Sequence, residues 1–373
     1  MEYLLVVGSV QSLFTTVFLW TKRAKKLHDT ILAVWMVFMA MPLIAAIAVQ
    51  IWPSSHIPIL SADLIYPLTY GPFLWLYVSS LTAVHEKIAL RQILHFLPFV
   101  TISLFQLLSG WAPAPPNPDS VAFNTSIRVI GGVNCALLIT YSIAVFRQLR
   151  DHDQKVLERF SNLQGYLTLA WIRWMSVGIT SVFLLLFLAA LLSQPSIMDL
   201  HLVSLIIAIL MLSYFGLQQD QVSDTVETLD EPEQGTDATP AVTALTAEKP
   251  SYDRSGLSAE LADVIQHRLD CYMQSERPYL NADLTITALA KRMAVPRHHL
   301  TEVINARHQK NFFNFVNEYR IQAVKQAMQD PARAKQTLLD MAYAAGFNSK
   351  SSFNTAFKQQ TGMTPSQFRR QLE

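Results

Sequence analysis

Two small clusters of hydrogen-bonding side chains stand near the C-terminal end of this chain: His298, Thr301 and Glu302, then Ser351, Ser352 and Thr355. His298 lies three and four residues from Thr301 and Glu302, and Thr355 four and three from Ser351 and Ser352, spacings that share a helix face. Such side chains can meet the base edges exposed in a major groove, and Glu302 can accept from cytosine N4. Cations surround both clusters: Arg297 and Lys310 near the first, Lys350, Lys358, Arg369 and Arg370 near the second. These suit phosphate contacts, which fix position without reading sequence. The chemistry expected is recognition of double-stranded DNA rather than the making of bonds.

Each cluster needs a helix to present it, and the surrounding pattern supplies two. ITALAKRM and RHHLTEVINAR, separated by AVP, read as two short helices around a sharp turn, with Ile286, Leu289, Met293, Leu300, Val303 and Ile304 inward. A second copy follows. Under a shift of 52, Ile286 meets Leu338, Leu289 meets Met341 and Ala290 meets Ala342. One residue is then inserted in the turn, and under a shift of 53 Leu300 meets Phe353 and Ile304 meets Phe357. Gly346 suits a left-handed turn residue, and Gly362 a helix end. Thr364, Pro365 and Gln367 read as N-cap, N1 and N3 of a final helix. Residues 312–329 form one linking helix, with Phe315, Tyr319, Val324 and Met328 inward, and 257–274 an amphipathic helix with Leu261, Val264, Ile265, Leu269 and Tyr272 on one side. Two helix-turn-helix units, about 284–305 and 337–361, can enter successive major grooves about 34 Å apart.

Residues 280–370 resemble the DNA-binding domain of the AraC/XylS family of bacterial transcription regulators. The resemblance rests on YLNADLTITALAKRMAVPRHHLTEVIN, NFFNFVNEYRIQAVKQAM and AYAAGFNSKSSFNTAFKQQTGMTPSQFRRQ. It covers about a quarter of the chain. Ala294 departs from it, since a glycine is common in the first turn. Such regulators usually carry a soluble ligand-binding domain. Here apolar segments stand in its place, similar to a membrane-bound subset of the family through YGPFLWLYV and LHFLPF.

The chain has 373 residues, and only 15% of them are charged. Charge divides it into three. Residues 1–217 hold 12 Lys/Arg against 9 Asp/Glu, 218–250 hold 1 against 8, and 251–373 hold 16 against 11. Apolar runs at roughly 4–20, 30–51, 59–84, 92–110, 125–146, 171–192 and 198–217 predict seven membrane-spanning helices. Connections after the first, third and fifth runs carry Lys22, Arg23, Lys25 and Lys26, then Lys87 and Arg91, then Arg147, Arg150, Lys155 and Arg159; the alternate connections carry no Lys or Arg. By the positive-inside rule the N-terminus is outside and the C-terminus in the cytoplasm. The positive charges follow the first apolar run, which is the wrong polarity for a secretory signal peptide.

Within these runs Asp63 and Arg128 are ionisable, and such residues at membrane depth mark either a structural ion pair or a site. An outward-facing signal pocket would involve Asp63, Tyr66, Tyr70, Arg128, Asn134 and His201. Pro67, Gly71 and Pro72 are expected to loosen the third helix. No H-E-x-x-H, serine elbow or phosphate-binding glycine loop occurs in this half. No enzymatic activity, cofactor or metal is expected. Cys135 and Cys271 fall in different domains, so no disulfide is expected.

The expected architecture is all-α: a seven-helix transmembrane domain over 1–217, an acidic flexible linker over 218–255, and a cytoplasmic double helix-turn-helix domain over 256–373. The linker is too polar to order itself, and its 38 residues reach roughly 35 Å as a coil. The function expected is a one-component, sequence-specific transcription regulator in a bacterial inner membrane. The membrane half would sense an unknown small-molecule or envelope signal. The other half would bind promoter direct repeats and act on RNA polymerase, with a homodimer a further possibility. Two alternatives stay open: an anchored regulator released by proteolysis through the linker, and a transporter or membrane enzyme carrying an autoregulatory DNA-binding domain.

Overall fold

A computed structural model describes residues 2–51, 65–82, 89–109, 121–162, 169–192, 200–218, 257–333 and 335–372. Asp63 and residues 219–255 of the expected linker lie outside them. The described residues form helices and no strand; one isolated antiparallel bridge joins Phe160 to Thr285. The chain divides into two compact units, Met1–Asp151 with Leu169–Pro232, and His152–Thr168 with Glu233–Glu373.

The first unit contains α1 (Glu2–Thr21), α2 (Leu27–Ile51), α3 (Tyr70–Thr82), α4 (Leu90–Ile93), α5 (Leu97–Ser109), most of α6 (Val121–Arg159), α7 (Ala170–Leu191) and α8 (Leu200–Gly216). Five helical stretches are long and apolar enough to cross a membrane: 2–21, 27–48, 90–108, 128–159 and 170–191. α8 is apolar but shorter, and α3 has 13 residues. Small polar groups mark several of the helix crossings. Ser12 Oγ donates to the Met36 carbonyl at 2.6 Å, and Thr15 Oγ1 donates to Ser213 Oγ at 2.8 Å. Ser142 Oγ lies 2.9 Å from Thr180 Oγ1 and accepts from Ser176 Oγ at 2.8 Å. Large side chains on one side of α1, among them Val6, Val10, Phe14 and Val17, remain exposed.

Two expectations here are refined. Among the described residues the loosening expected at Pro67 takes the form of a 3-10 turn at the helix start. A 3-10 turn, Tyr66–Thr69, starts with Pro67 in its first turn and runs directly into α3, where Pro72 again lies in the first turn. Pro67 forfeits no helical hydrogen bond in that position, whereas Pro72 cannot donate to the turn that precedes it. Gly71 is instead a packing residue, because a Cβ on it would strike the ring of Tyr141. The fifth apolar run ends near residue 146, yet its helix continues to Arg159. Polar residues such as Arg147, Gln148, Gln154 and Lys155 are good helix formers and extend it.

The second unit contains the end of α6 and then α9 (Ala259–Ser275), α10 (Ile286–Met293), α11 (Arg297–Arg307), α12 (Phe312–Gln329), α13 (Leu338–Ala344), α14 (Lys350–Thr361) and α15 (Pro365–Leu372). It has two cores strung on α12. Phe312, Phe315 and Val316 pack with Leu289, Met293, Leu300 and Ile304. Ile321, Val324 and Ala327 pack with Met341, Ala342, Phe353 and Phe357. α9 buries Ala262, Ile265, Leu269 and Met273 against the first core. The expected inward face of α9 is therefore partly wrong: Leu261 and Val264 are 43% and 53% exposed. The small Ala262 lets α9 approach closely, and this face carries the i, i+3, i+4 period on to Met273.

Candidate nucleic-acid interface

The two helix-turn-helix pairs are built alike. α10 starts at Thr285, whose Oγ1 accepts from the Ala288 amide at 3.2 Å. α13 starts with a reciprocal cap: Thr337 Oγ1 accepts from the Asp340 amide at 3.1 Å, and the Asp340 carboxylate accepts from the Thr337 amide at 3.3 Å. Both first helices close with one shared bond. The Val295 amide donates to the Ala290 carbonyl at 3.0 Å, and the Phe347 amide to the Ala342 carbonyl at 3.1 Å. The left-handed residue of the first turn is Ala294, with φ 50°, and that of the second is Gly346, with φ 96°. Arg268 from α9 braces the first turn by donating to the Met293 carbonyl at 2.6 Å.

The second helices follow. Pro296 stands at the N-cap of α11, and Ser349 caps α14 by accepting from the Ser352 amide at 3.1 Å. Leu300, Val303 and Ile304 are buried on α11, and Phe353, Ala356 and Phe357 on α14. The opposite faces carry the expected base readers. His298, Ser351 and Thr355 are exposed; Thr301, Glu302 and Ser352 are half-buried. Thr301 Oγ1 donates to the Arg297 carbonyl at 2.9 Å, and Ser352 Oγ accepts from Ser349 Oγ at 3.0 Å.

Among the expected phosphate contacts, Lys350, Lys358 and Arg370 are exposed and Arg297 is half-buried. Arg370 Nε donates to the Ser366 carbonyl at 3.4 Å, and Arg369 donates to the Gln336 carbonyl at 3.0 Å. Lys310 forms an ion pair with Glu318 at 2.6 Å, an exposed pair that salt and solvent weaken. α15, which carries both terminal arginines, starts from Thr364 accepting from the Gln367 amide at 3.3 Å while the Gln367 side chain accepts from the Thr364 amide at 2.9 Å.

Of the expected pocket residues of the first unit, all but Asp63 lie among the described residues. Tyr66 is buried against Phe38 and Phe99, and Tyr70 against Phe183. Asn134 is buried, His201 half-buried and Arg128 exposed. Among the described residues no cluster of three or more His, Cys, Asp or Glu could hold a metal ion. Cys135 is buried and Cys271 exposed, and both are free.

One residue of the second unit escaped the sequence reading. Arg320 on α12 has no exposed surface. Its position between the two cores suits neither the inward apolar set nor a solvated face. A charged residue in an amphipathic helix reads as exposed, and only its neighbour Asn317, also buried, hints otherwise.

Residues 289–371 match a family model described as a helix-turn-helix domain. Over 95 residues the chain is 33% identical to an uncharacterized HTH-type transcriptional regulator in the cgkA 5′ region of Pseudoalteromonas carrageenovora. That match takes in 26% of this chain and 54% of the relative, so the chain spans about half the length of the curated relative it matches. No solved structure matches the chain. The C-terminal unit thus carries a helix-turn-helix domain.

Proposed function

We propose that the protein is a membrane-bound, sequence-specific transcription regulator of the AraC/XylS type. The observation that carries this reading is the pair of helix-turn-helix units on one helix, α12, each with polar side chains on the outer face of its second helix. In this reading α11 and α14 enter successive major grooves of a direct repeat. His298, Thr301, Glu302, Ser351, Ser352 and Thr355 read bases. Arg297, Lys310, Lys350, Lys358, Arg369 and Arg370 hold phosphates. Lys310 exchanges Glu318 for a phosphate on binding.

Residues 1–217 form a seven-span domain in the bacterial inner membrane, N-terminus outside, and 256–373 lie in the cytoplasm beyond an acidic linker over 218–255. Five long apolar helices and the alternation of basic loops support this topology. The membrane domain senses a small-molecule or envelope signal through a pocket that includes Asp63, Tyr66, Tyr70, Arg128, Asn134 and His201. DNA, RNA polymerase and a second copy of the chain are the partners, and no cofactor takes part.

Genome-wide binding of the tagged full-length protein, with membrane and soluble fractions probed in parallel, tests the reading. Enrichment at direct-repeat promoter sites by an intact membrane species is expected. Random occupancy, or binding by a shortened soluble species alone, would overturn it.

A further inference from the structure

Phe160, Ser161 and Asn162 directly follow α6, and within the second unit they fill a groove between the two helix-turn-helix pairs. Ser161 and Asn162 are buried. Phe160 bridges Thr285, the cap of α10. The Ser161 amide and hydroxyl both donate to the Leu284 carbonyl, at 3.3 and 2.6 Å. Asn162 spans the pairs: its Nδ2 amide donates to the Ala282 carbonyl before the first and, at 3.1 Å, to the Gly346 carbonyl in the turn of the second.

Beneath these residues lies the Arg320 guanidinium. It donates to the Tyr279 and Asn281 carbonyls, each at 2.8 Å, and more distantly to Asn317 Oδ1 at 3.4 Å. Its other acceptors all come from the segment: the Ser161 carbonyl at 2.8 Å, Ser161 Oγ at 2.9 Å and Asn162 Oδ1 at 3.1 Å. Among the described residues no carboxylate bonds to it. Burial lowers its pKa to about 10, with Asp283 opposing the shift, so it remains a cation at neutral pH. A buried cation with neutral acceptors is costly unless its hydrogen bonds are complete. Half of those bonds depend on two residues, Ser161 and Asn162, remote in sequence from the domain.

We infer that Phe160–Asn162 is an intramolecular ligand of the helix-turn-helix domain, seated over Arg320, which locks the relative position of the two pairs and can be withdrawn through α6. The inference rests on the DNA-binding reading for its consequence, though not for the docking itself. α6 runs without interruption from Val121 to Arg159, so an axial shift or rotation of that helix pulls on Phe160 directly. Withdrawal removes three acceptors from Arg320 and the Asn162 side chain that bonds both pairs. The pairs are then free to adopt another spacing, and the preferred separation of DNA half-sites changes with it.

Hydrogen exchange on the full-length protein in lipid nanodiscs tests the docking. In Ser161→Ala/Asn162→Ala the amides of 279–285 and 343–347 should exchange about tenfold faster, as loss of bonds to a charged group implies, while 286–293 and 350–361 change little. Asn162→Asp is the second variant. It keeps an acceptor on Arg320 but cannot donate to Ala282 and Gly346, and should raise exchange at 343–347 with the fold intact. If the double variant exchanges faster throughout 286–372, Asn162→Asp decides. Unaltered exchange at 343–347 in Asn162→Asp overturns the docking. Genome-wide binding of Asn162→Asp tests the consequence: altered half-site separation is expected, and occupancy identical to the wild type overturns the lock. Absence of site-specific binding by the wild type would instead sink the DNA-binding reading and leave the exchange result standing.

Discussion

Gly346 stands with its Cα against the carbonyl oxygen of Tyr279, so close that a Cβ would strike that oxygen. The contact joins the turn of the second helix-turn-helix pair to the segment leading into the first. Its φ of 96° also lies where side chains are strained. Gly346→Ala should therefore destabilise the domain by about 2–3 kcal/mol. Exchange of the α13 and α14 amides in the full-length protein measures it, and wild-type protection in the variant would contradict the close approach.

Ala294 presents the opposite case. It closes α10 with φ 50°, a conformation that costs a residue with a Cβ roughly 1–2 kcal/mol. Ala294→Gly should stabilise the first pair by a fraction of this, about 0.5–1 kcal/mol, because glycine also gains entropy when unfolded. Thermal unfolding compared with wild type would show it as a higher midpoint.

On α14, neighbouring residues should separate into two kinds of effect. Ser351→Ala and Thr355→Ala should alter preference at one or two base positions, by about 1–3 kcal/mol each. Lys350→Ala should weaken binding to all sequences and reduce the slope against salt by about one. Binding to a randomised duplex library at two salt concentrations distinguishes them; equal loss of specificity in all three variants would remove the assignment.

Arg320 carries a pH prediction. Its pKa when folded, about 10, is below its ordinary value because burial disfavours the cation. The unfolded chain therefore holds the proton more tightly. This group adds stability only as pH rises above about 10, and it contributes no slope below. Replacing Arg320 with Met should remove any such rise in alkaline unfolding curves. It would also leave the Ser161 and Tyr279 carbonyls without the guanidinium as donor, at a cost of about 3–5 kcal/mol at neutral pH.

Topology can be read with reporter fusions. Fusions in 112–118 should place the reporter outside the cell, and fusions after 373 in the cytoplasm, as the basic loops dictate. A C-terminal fusion found outside would overturn the orientation and with it access to DNA.

The second unit was legible because local signals agreed. Thr364 is a capping residue, Gly346 and Gly362 are turn residues, and the repeated apolar set recurs with one inserted residue. What escaped was non-local. Nothing in SNL at 161–163 distinguishes it from an ordinary polar loop, since Ser161 and Asn162 gain their role only from backbone carbonyls more than a hundred residues away. Arg320 was hidden for the same reason, and charge alone suggested water. The face of α9 was misjudged because Leu261 and Val264 look more apolar than Ala262, although shape decides which side fits. In the first unit periodicity is uninformative, since helices apolar all round have no inward stripe to read. Apolar length marked out the helices, while Gly71 facing Tyr141 could not be seen.

Because both cores are strung on α12, the register of one helix sets the phase between the two reading faces. One residue inserted between Val316 and Ile321 would turn the distal core by about 100° and advance it about 1.5 Å, carrying Arg320 away from its acceptors in the same step. Side chains on α11 and α14 can change one by one and retune which bases are preferred. With Phe160–Asn162 docked, the pitch at which those bases must occur is held in a count of residues, and sequence change alters it only in whole steps.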